Sequence, residues 1–189
     1  MRMGRDKAGL ELSSGLPLWR HQVARLLEAG AEEILISGRR NGPWQDCAWR
    51  ILEDATPGQG PLSGLREVLH ACNTPWILVL AVDMPAISTS FLRALVAESA
   101  ASGCGSVPRG PHGWEPLAAV YPRSMLALAQ EALQKGRLSL QEFVETGVSA
   151  GLLRAHSITS AEIKLFHNIN HPSDWLDLEF GQAPAEPQA

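Results

Sequence analysis

The chain has only three cysteines, no surplus of basic residues and no apolar run long enough to cross a bilayer, and each shortage removes a class of function. Cys47, Cys72 and Cys104 are far apart, odd in number and never in a C-x-x-C arrangement. They suggest neither a disulfide framework nor a zinc knuckle and read as reduced, mostly packed thiols. Lys and Arg total 16 against 20 Asp and Glu, a formal net charge of -4. A duplex binder draws most of its affinity from phosphate neutralisation and shows a basic face, so nucleic acid is not expected as a partner. No secretory leader opens the sequence; no membrane association is expected, and the cytoplasm is the expected compartment. The patterns G-x-x-x-x-G-K-[ST], G-x-S-x-G and H-E-x-x-H are all missing, and the six histidines have no ligand spacing. Hydrolytic triads and zinc hydrolysis are therefore unsupported.

What is present is the composition of a folded enzyme-sized domain, 45% hydrophobic and 19% charged over 189 residues. One domain is expected over residues 1–180, with a loose tail at 181–189, where apolar periodicity stops. Leu18, Val23, Leu26 and Leu27 fall on one helical face, and Gly30 offers a stop. Short strands are predicted over residues 33–37 and 49–52, and Pro61 then opens a helix to about residue 72, where its missing amide costs nothing. Residues 76–82 are almost wholly apolar, the mark of a strand covered on both faces, and the run ends at Asp83-Met84-Pro85. Ser88 caps a helix whose buried stripe is Phe91, Leu92, Leu95 and Val96, up to Gly103. Further strands are predicted at 105–108, 117–121, 152–156 and 165–169, and helices at 123–135, 139–145 and 172–178. The alternation predicts a three-layer α/β fold, a mainly parallel sheet with helices on both faces. Ligands of such sheets bind beyond the carboxyl ends of the strands, which is where Asp54 and Asp83 fall.

Four segments can carry chemistry. Arg2-Met3-Gly4-Arg5-Asp6-Lys7 joins a flexible glycine to three cations, suited to phosphate oxygens and equally to a solvated basic terminus. Asp54, followed by Pro57-Gly58-Gln59-Gly60-Pro61-Leu62-Ser63-Gly64, sets a carboxylate at a strand end ahead of glycines that admit a ligand to backbone amides at a helix start. A base or ribose fits there; so does an ordinary strand-to-helix turn. The same stretch imitates a dinucleotide fingerprint poorly, because Ser63 stands where the third glycine belongs. Asp83 at the end of the apolar strand is placed to hold Mg2+ against a triphosphate, or else caps the following turn. Asn168 and Asn170, at alternate positions of the segment before Pro172, would point to one face of a strand or cap the turn before the final helix.

Arg2-Met3-Gly4-x-Asp6-Lys7, Asp54 with the Pro57 to Gly64 loop, Val82-Asp83-Met84-Pro85, Glu115-Pro116-Leu117 and Asn168-Ile169-Asn170-x-Pro172 follow one another in the order of the molybdenum cofactor guanylyltransferases, which this chain resembles over nearly its whole body. The resemblance implies a Rossmann-like fold of the nucleotide-diphospho-sugar transferase type and transfer of GMP from GTP to molybdopterin, with Mg2+ and release of pyrophosphate. By the same resemblance Lys7 and Asp83 are the catalytic pair and Asp83 the metal ligand. Arg2, Gly4, Lys7, Arg39, Asp54, Gly60 and Asp83 form the nucleotide site, and Asn168 and Asn170 lie near the acceptor. Two departures matter. Members of the family begin with a buried strand, a Leu-Ala-Gly-Gly loop and a serine, none of which stands ahead of Arg2 here. A start further upstream is the expectation, and a chain without normal nucleotide binding the alternative. Ile36-Ser37-Gly38-Arg39-Arg40 also replaces an asparagine that the family often carries after its second strand. A cytidylyltransferase acting on the same pterin or another NTP transferase acting on a different phosphorylated acceptor, and a non-catalytic protein that holds molybdopterin for a partner such as a molybdoenzyme or another cofactor-biosynthesis protein, remain the competing readings.

Overall fold

Residues 7–12, 15–54 and 58–167 are described by the structure, a computed structural model. After a 3-10 turn at Lys7–Gly9 comes helix α1 (Leu18–Glu28). Its buried stripe runs through Leu18, Trp19, Gln22 and Val23, which leaves Leu27 off the edge and 46% exposed, against the expectation that it belongs to the stripe. Strands β1 (Leu35–Ser37) and β2 (Arg50–Leu52) pair in parallel, Ile36 opposite Ile51. Helix α2 (Pro61–Ala71) starts with Pro61 directly after Gly60, whose φ of 68° suits a residue without a side chain.

Strand β3 (Trp76–Leu80) carries the apolar run. Helix α3 (Thr89–Ser102) is capped as expected, the Ser88 hydroxyl accepting from the Phe91 amide at 3.2 Å, and stops at Gly103 with φ 69°. The chain continues through β4 (Gly105–Gly110), β5 (Gly113–Trp114) and β6 (Ala118–Pro122), a 3-10 turn at Arg123–Met125, helices α4 (Leu126–Gln134) and α5 (Leu140–Ser149), and β7 (Leu153–Ser157). The second sheet has the order β3-β6-β4-β5, with β7 beside β4.

Period-2 alternation divides this sheet between two cores. Ala119 and Tyr121 of β6, with Ile77 and Val79 of β3, face α2, α4 and α5; Ala118 and Val120, with Trp76, Leu78 and Leu80, face α3. Helices thus cover both faces, as the α/β reading requires. The parallel character holds only in part: β1-β2 and β4-β7 are parallel, whereas β6 runs antiparallel to both β3 and β4, and β5 to β4. The connection from Gly110 to Ala118 is too short for a helical crossover, so β6 has to return antiparallel. A second correction falls at 165–167, the described part of the strand expected over 165–169. Ile163–Phe166 is a 3-10 turn, not a strand, begun where Glu162 accepts from the Thr159 amide and hydroxyl. Val96 is 38% exposed instead of buried.

Among the described residues neither β1 nor β3 has a partner on its second edge. Between the two edges lies a cleft of about 840 Å³. Ile34, Ile36, Leu78 and Leu80 line it from the strand side, Val23 and Leu26 of α1 and Leu65 and Val68 of α2 line it from the helices, and Asp54, Gly60 and Val82 also belong to its lining.

Candidate active site

Asp83 stands just past the last ladder bond of β3, in which the Ala81 amide donates to the Leu117 carbonyl at 2.7 Å. The backbone then turns, and Pro85 ends the extended run. Lys7 Nζ lies 3.8 Å from Asp83 Oδ2, each side chain 30% exposed. Such a partly exposed pair contributes at most about 1 kcal/mol to folding. Its interest is that two opposite charges stand open to a ligand. The turn bearing Lys7 is held by its neighbour Ala8, buried against Trp19, Val23 and Ile34, and by the Leu18 amide donating to the Leu10 carbonyl at 2.8 Å.

Parallel pairing of β1 and β2 brings Ser37-Gly38 and Asp54 to one edge. Asp54 is half-buried; burial raises its carboxyl above the ordinary range, the Glu67 charge adds to this and Arg66 opposes it. Gly64 in the first turns of α2 packs so closely that a Cβ there would collide with Ser37 Oγ and stand 3.4 Å from Asp54 Oδ1. The glycine that closes the loop pattern is therefore a close-approach residue. Gly38 and Gly42 lie under the Trp44 ring, whose indole donates to the Arg39 carbonyl at 2.9 Å, which fixes the backbone of the exposed Arg39. Arg40 is engaged otherwise: its amide and guanidinium both donate to Glu53, at 2.8 and 3.2 Å.

The structure thus brings Lys7 to Asp83, and sets Asp54, Gly60 and Val82, the neighbour of Asp83, around one cleft. Arg2, Gly4, Asn168 and Asn170 lie outside the described residues. Register carries Glu115-Pro116 past Ala81 to the edge bearing Asp83, since Leu80 faces Ala118. Burial raises the Glu115 carboxyl, partly offset by His112, and the Tyr121 hydroxyl donates to the Pro116 carbonyl at 2.8 Å.

The family model of the MobA-like NTP transferase domain matches residues 1–156. The chain belongs to this family. A relative from Opitutus terrae named "Probable molybdenum cofactor guanylyltransferase" is 40% identical over 176 residues, 92% of this chain and 86% of that protein. The molybdenum cofactor guanylyltransferase of Pseudomonas putida KT2440 is 31% identical over 156 residues, covering 82% of this chain and 81% of its own length. The solved molybdopterin-guanine dinucleotide biosynthesis protein A of Archaeoglobus fulgidus superposes with a TM-score of 0.75 at 22% identity, over 94% of this chain and 91% of that one, a likeness of fold. As a MobA-like NTP transferase the protein is a nucleotidyltransferase.

Among the described residues no group of three or more His, Cys, Asp or Glu could cage a metal. A single open carboxylate fits Mg2+ shared with a nucleotide, because Mg2+ keeps several waters and takes one or two carboxylates together with phosphate oxygens. Asp83, half-exposed at a strand end, would supply such a carboxylate. Sequence reasoning passed over two residues that meet the turn carrying Asp83, His21 and Gln22. Gln22 is 4% exposed, and its Nε2 donates to the carbonyls of Ala81 at 2.7 Å and Met84 at 3.0 Å; His21 Nε2 is 3.3 Å from the Pro85 carbonyl. Burial lowers the His21 imidazole pKa, with the Pro85 contact working against it. The available signal was an amide set between Trp19 and Val23 on an apolar stripe.

Proposed function

We propose that this nucleotidyltransferase joins GMP from GTP to the terminal phosphate of molybdopterin, with Mg2+, in the cytoplasm. The observation that carries the reading is the open Lys7–Asp83 pair, 3.8 Å apart, at the carboxyl edge of β3. The family match and the names of its relatives supply the substrate class. A phosphate oxygen of molybdopterin attacks the α-phosphorus in line; the bond from that phosphorus to the bridging oxygen breaks, and pyrophosphate leaves with the electron pair. Lys7, aided by Arg2 with Gly4 beside it, holds the triphosphate and meets the charge gathering on the leaving group. Asp54, Gly60 and Arg39 hold the nucleoside end, and Asn168 and Asn170 serve the acceptor. Asp83 would hold Mg2+, which when bound neutralises phosphate oxygens.

The test is thermal stabilisation by GTP, CTP and ATP with Mg2+, since a ligand that prefers the folded state raises its stability by mass action. A shift with GTP alone, lost in Asp83→Ala, is expected. A shift with CTP alone would make the protein a cytidylyltransferase. No shift with any nucleotide would leave a molybdopterin-binding protein.

We propose further that the cleft between β1 and β3 seats an extended apolar strand. Its support is chemical. The two strand edges call for backbone partners, and a segment between them would meet apolar helix surface on both faces, the environment of a central parallel strand.

A further inference from the structure

We propose that Gln22 is a positioning residue for the active site: its buried amide clamps the turn that carries Asp83 and so aims that carboxylate. The inference rests on the reading of Asp83 as the metal-holding acid, and the geometry adds to it. Gln22 Nε2 donates to the carbonyls of Ala81 and Met84, at 2.7 and 3.0 Å, so both N–H bonds of one planar amide are spent on the two ends of the turn whose middle is Val82-Asp83. His21, one residue earlier on α1, meets the next carbonyl, that of Pro85, at 3.3 Å. Consecutive residues of one helix thus grip three carbonyls around the acid.

Stability does not account for the arrangement. Both carbonyls have other donors, the Met84 amide at 3.5 Å for Ala81 and the Ile87 amide at 3.3 Å for Met84. Removing the Gln22 amide would therefore orphan neither acceptor. The amide also carries a burden of its own, because its Oε1 is buried without a partner among the described residues. An apolar residue of the same shape would remove that burden. What it would lose is the fixed position of the turn. Inside the turn the direct bond between Ala81 and Met84 is long, at 3.5 Å, so the external amide is the shorter restraint.

The experiment measures Mn2+ binding to the full chain in the presence of a non-hydrolysable GTP analogue, by the EPR signal of free Mn2+, together with the thermal midpoint of each ligand-free variant. Gln22→Met keeps the shape and removes the donors. Gln22→Asn keeps the amide on a shorter stem that cannot span both carbonyls, and covers the case in which the Met variant fails to fold. Val144→Ala, buried in α5 on the other face of the sheet, loses packing without touching the turn. The expected result is an Mn2+ dissociation constant raised about tenfold in Gln22→Met and Gln22→Asn, the range seen when a group that orients a metal ligand is removed, with no change in Val144→Ala. Equal weakening in Val144→Ala, or none in the Gln22 variants while Asp83→Ala abolishes binding, would overturn the clamp and leave Asp83 in its role. Unchanged binding in Asp83→Ala would overturn the reading beneath it, and the clamp with it.

Discussion

Replacing Gly64 by alanine separates the stability of α2 from the use of its amino-terminal end. A glycine inside a helix is worse than alanine by roughly 0.5–1 kcal/mol, so on propensity alone Gly64→Ala stabilises. Against this, the new methyl would collide with Ser37 Oγ while standing at the tight but tolerable distance of 3.4 Å from Asp54 Oδ1. Ser37 is exposed, so its hydroxyl can turn away about χ1 without breaking the core. The overpacking penalty should therefore fall near the low end of the usual range of about 1–3 kcal/mol, and the two effects nearly cancel. The thermal midpoint is expected to stay within a few degrees, since 1 kcal/mol corresponds to about 2–4 °C at this size. The displaced Ser37 hydroxyl stands at the same edge as Asp54, which is assigned to the nucleoside, and turning it away disturbs that edge. Calorimetric titration with GTP and Mg2+ should give a dissociation constant raised about tenfold, equivalent to about 1.4 kcal/mol. Adding Ser37→Ala removes the colliding atom and leaves Ser37 Cβ at an ordinary 3.6 Å, so the double variant should regain affinity and keep the helix gain. Unchanged affinity in Gly64→Ala, or a double variant as weak as the single one, would refute the placing of the nucleoside at this edge.

Two further outcomes test the frame around the site. Glu98 Oε2 takes the Ser106 hydroxyl at 2.6 Å and His156 Nδ1 at 3.0 Å. Burial by itself would raise the Glu98 carboxyl, but these partners more than offset it and hold the pKa below its ordinary 4.5. A carboxyl lowered by folding contributes stability that is present above the unfolded value and lost as pH falls through the folded one. Denaturant midpoints of the parent and Glu98→Gln should therefore differ at neutral pH and converge in acid below 4.5; parallel curves would remove Glu98 from the account. For the cleft, fusing a short extended aliphatic strand ahead of Arg2 should raise the thermal midpoint. Burying one aliphatic side chain gives about 1.5–3 kcal/mol and ordering one residue costs about 1–2 kcal/mol, so a handful of residues with their new hydrogen bonds nets about 3 kcal/mol, or roughly ten degrees. No rise, with no added exchange protection at the amides on the open edges of β1 and β3, would sink the strand.

The parts of this fold legible in the sequence were those whose signal is local. The apolar run at β3, the Ser88 cap, Pro61 at a helix start and Gly103 at a helix end each declare themselves within a few residues. Strand direction is not declared in that way. Alternation in β6 is the same whichever way the strand runs, and only the short link from Gly110 to Ala118 held the clue to its antiparallel course. Leu165 and Phe166 were apolar for a reason other than a strand: both pack on the α3 core, with the Phe166 ring edge-on to Phe91 at 5.4 Å, and a 3-10 turn presents them.

The same distinction separates the acids of the site from what holds them. That Asp54 and Asp83 stand at strand ends was legible because a carboxylate directly after a predicted strand needs no knowledge of the rest of the chain. Gln22 was not, because its two acceptors lie 59 and 62 residues further on, and a reading that counts apolar positions passes over an amide among them. Buried polar groups are rare enough to demand a reason. A polar residue inside an apolar helical stripe is thus the signal to look for: here it marks the helix face that meets the turn carrying Asp83, and chemistry at a strand end depends on how firmly such a turn is held.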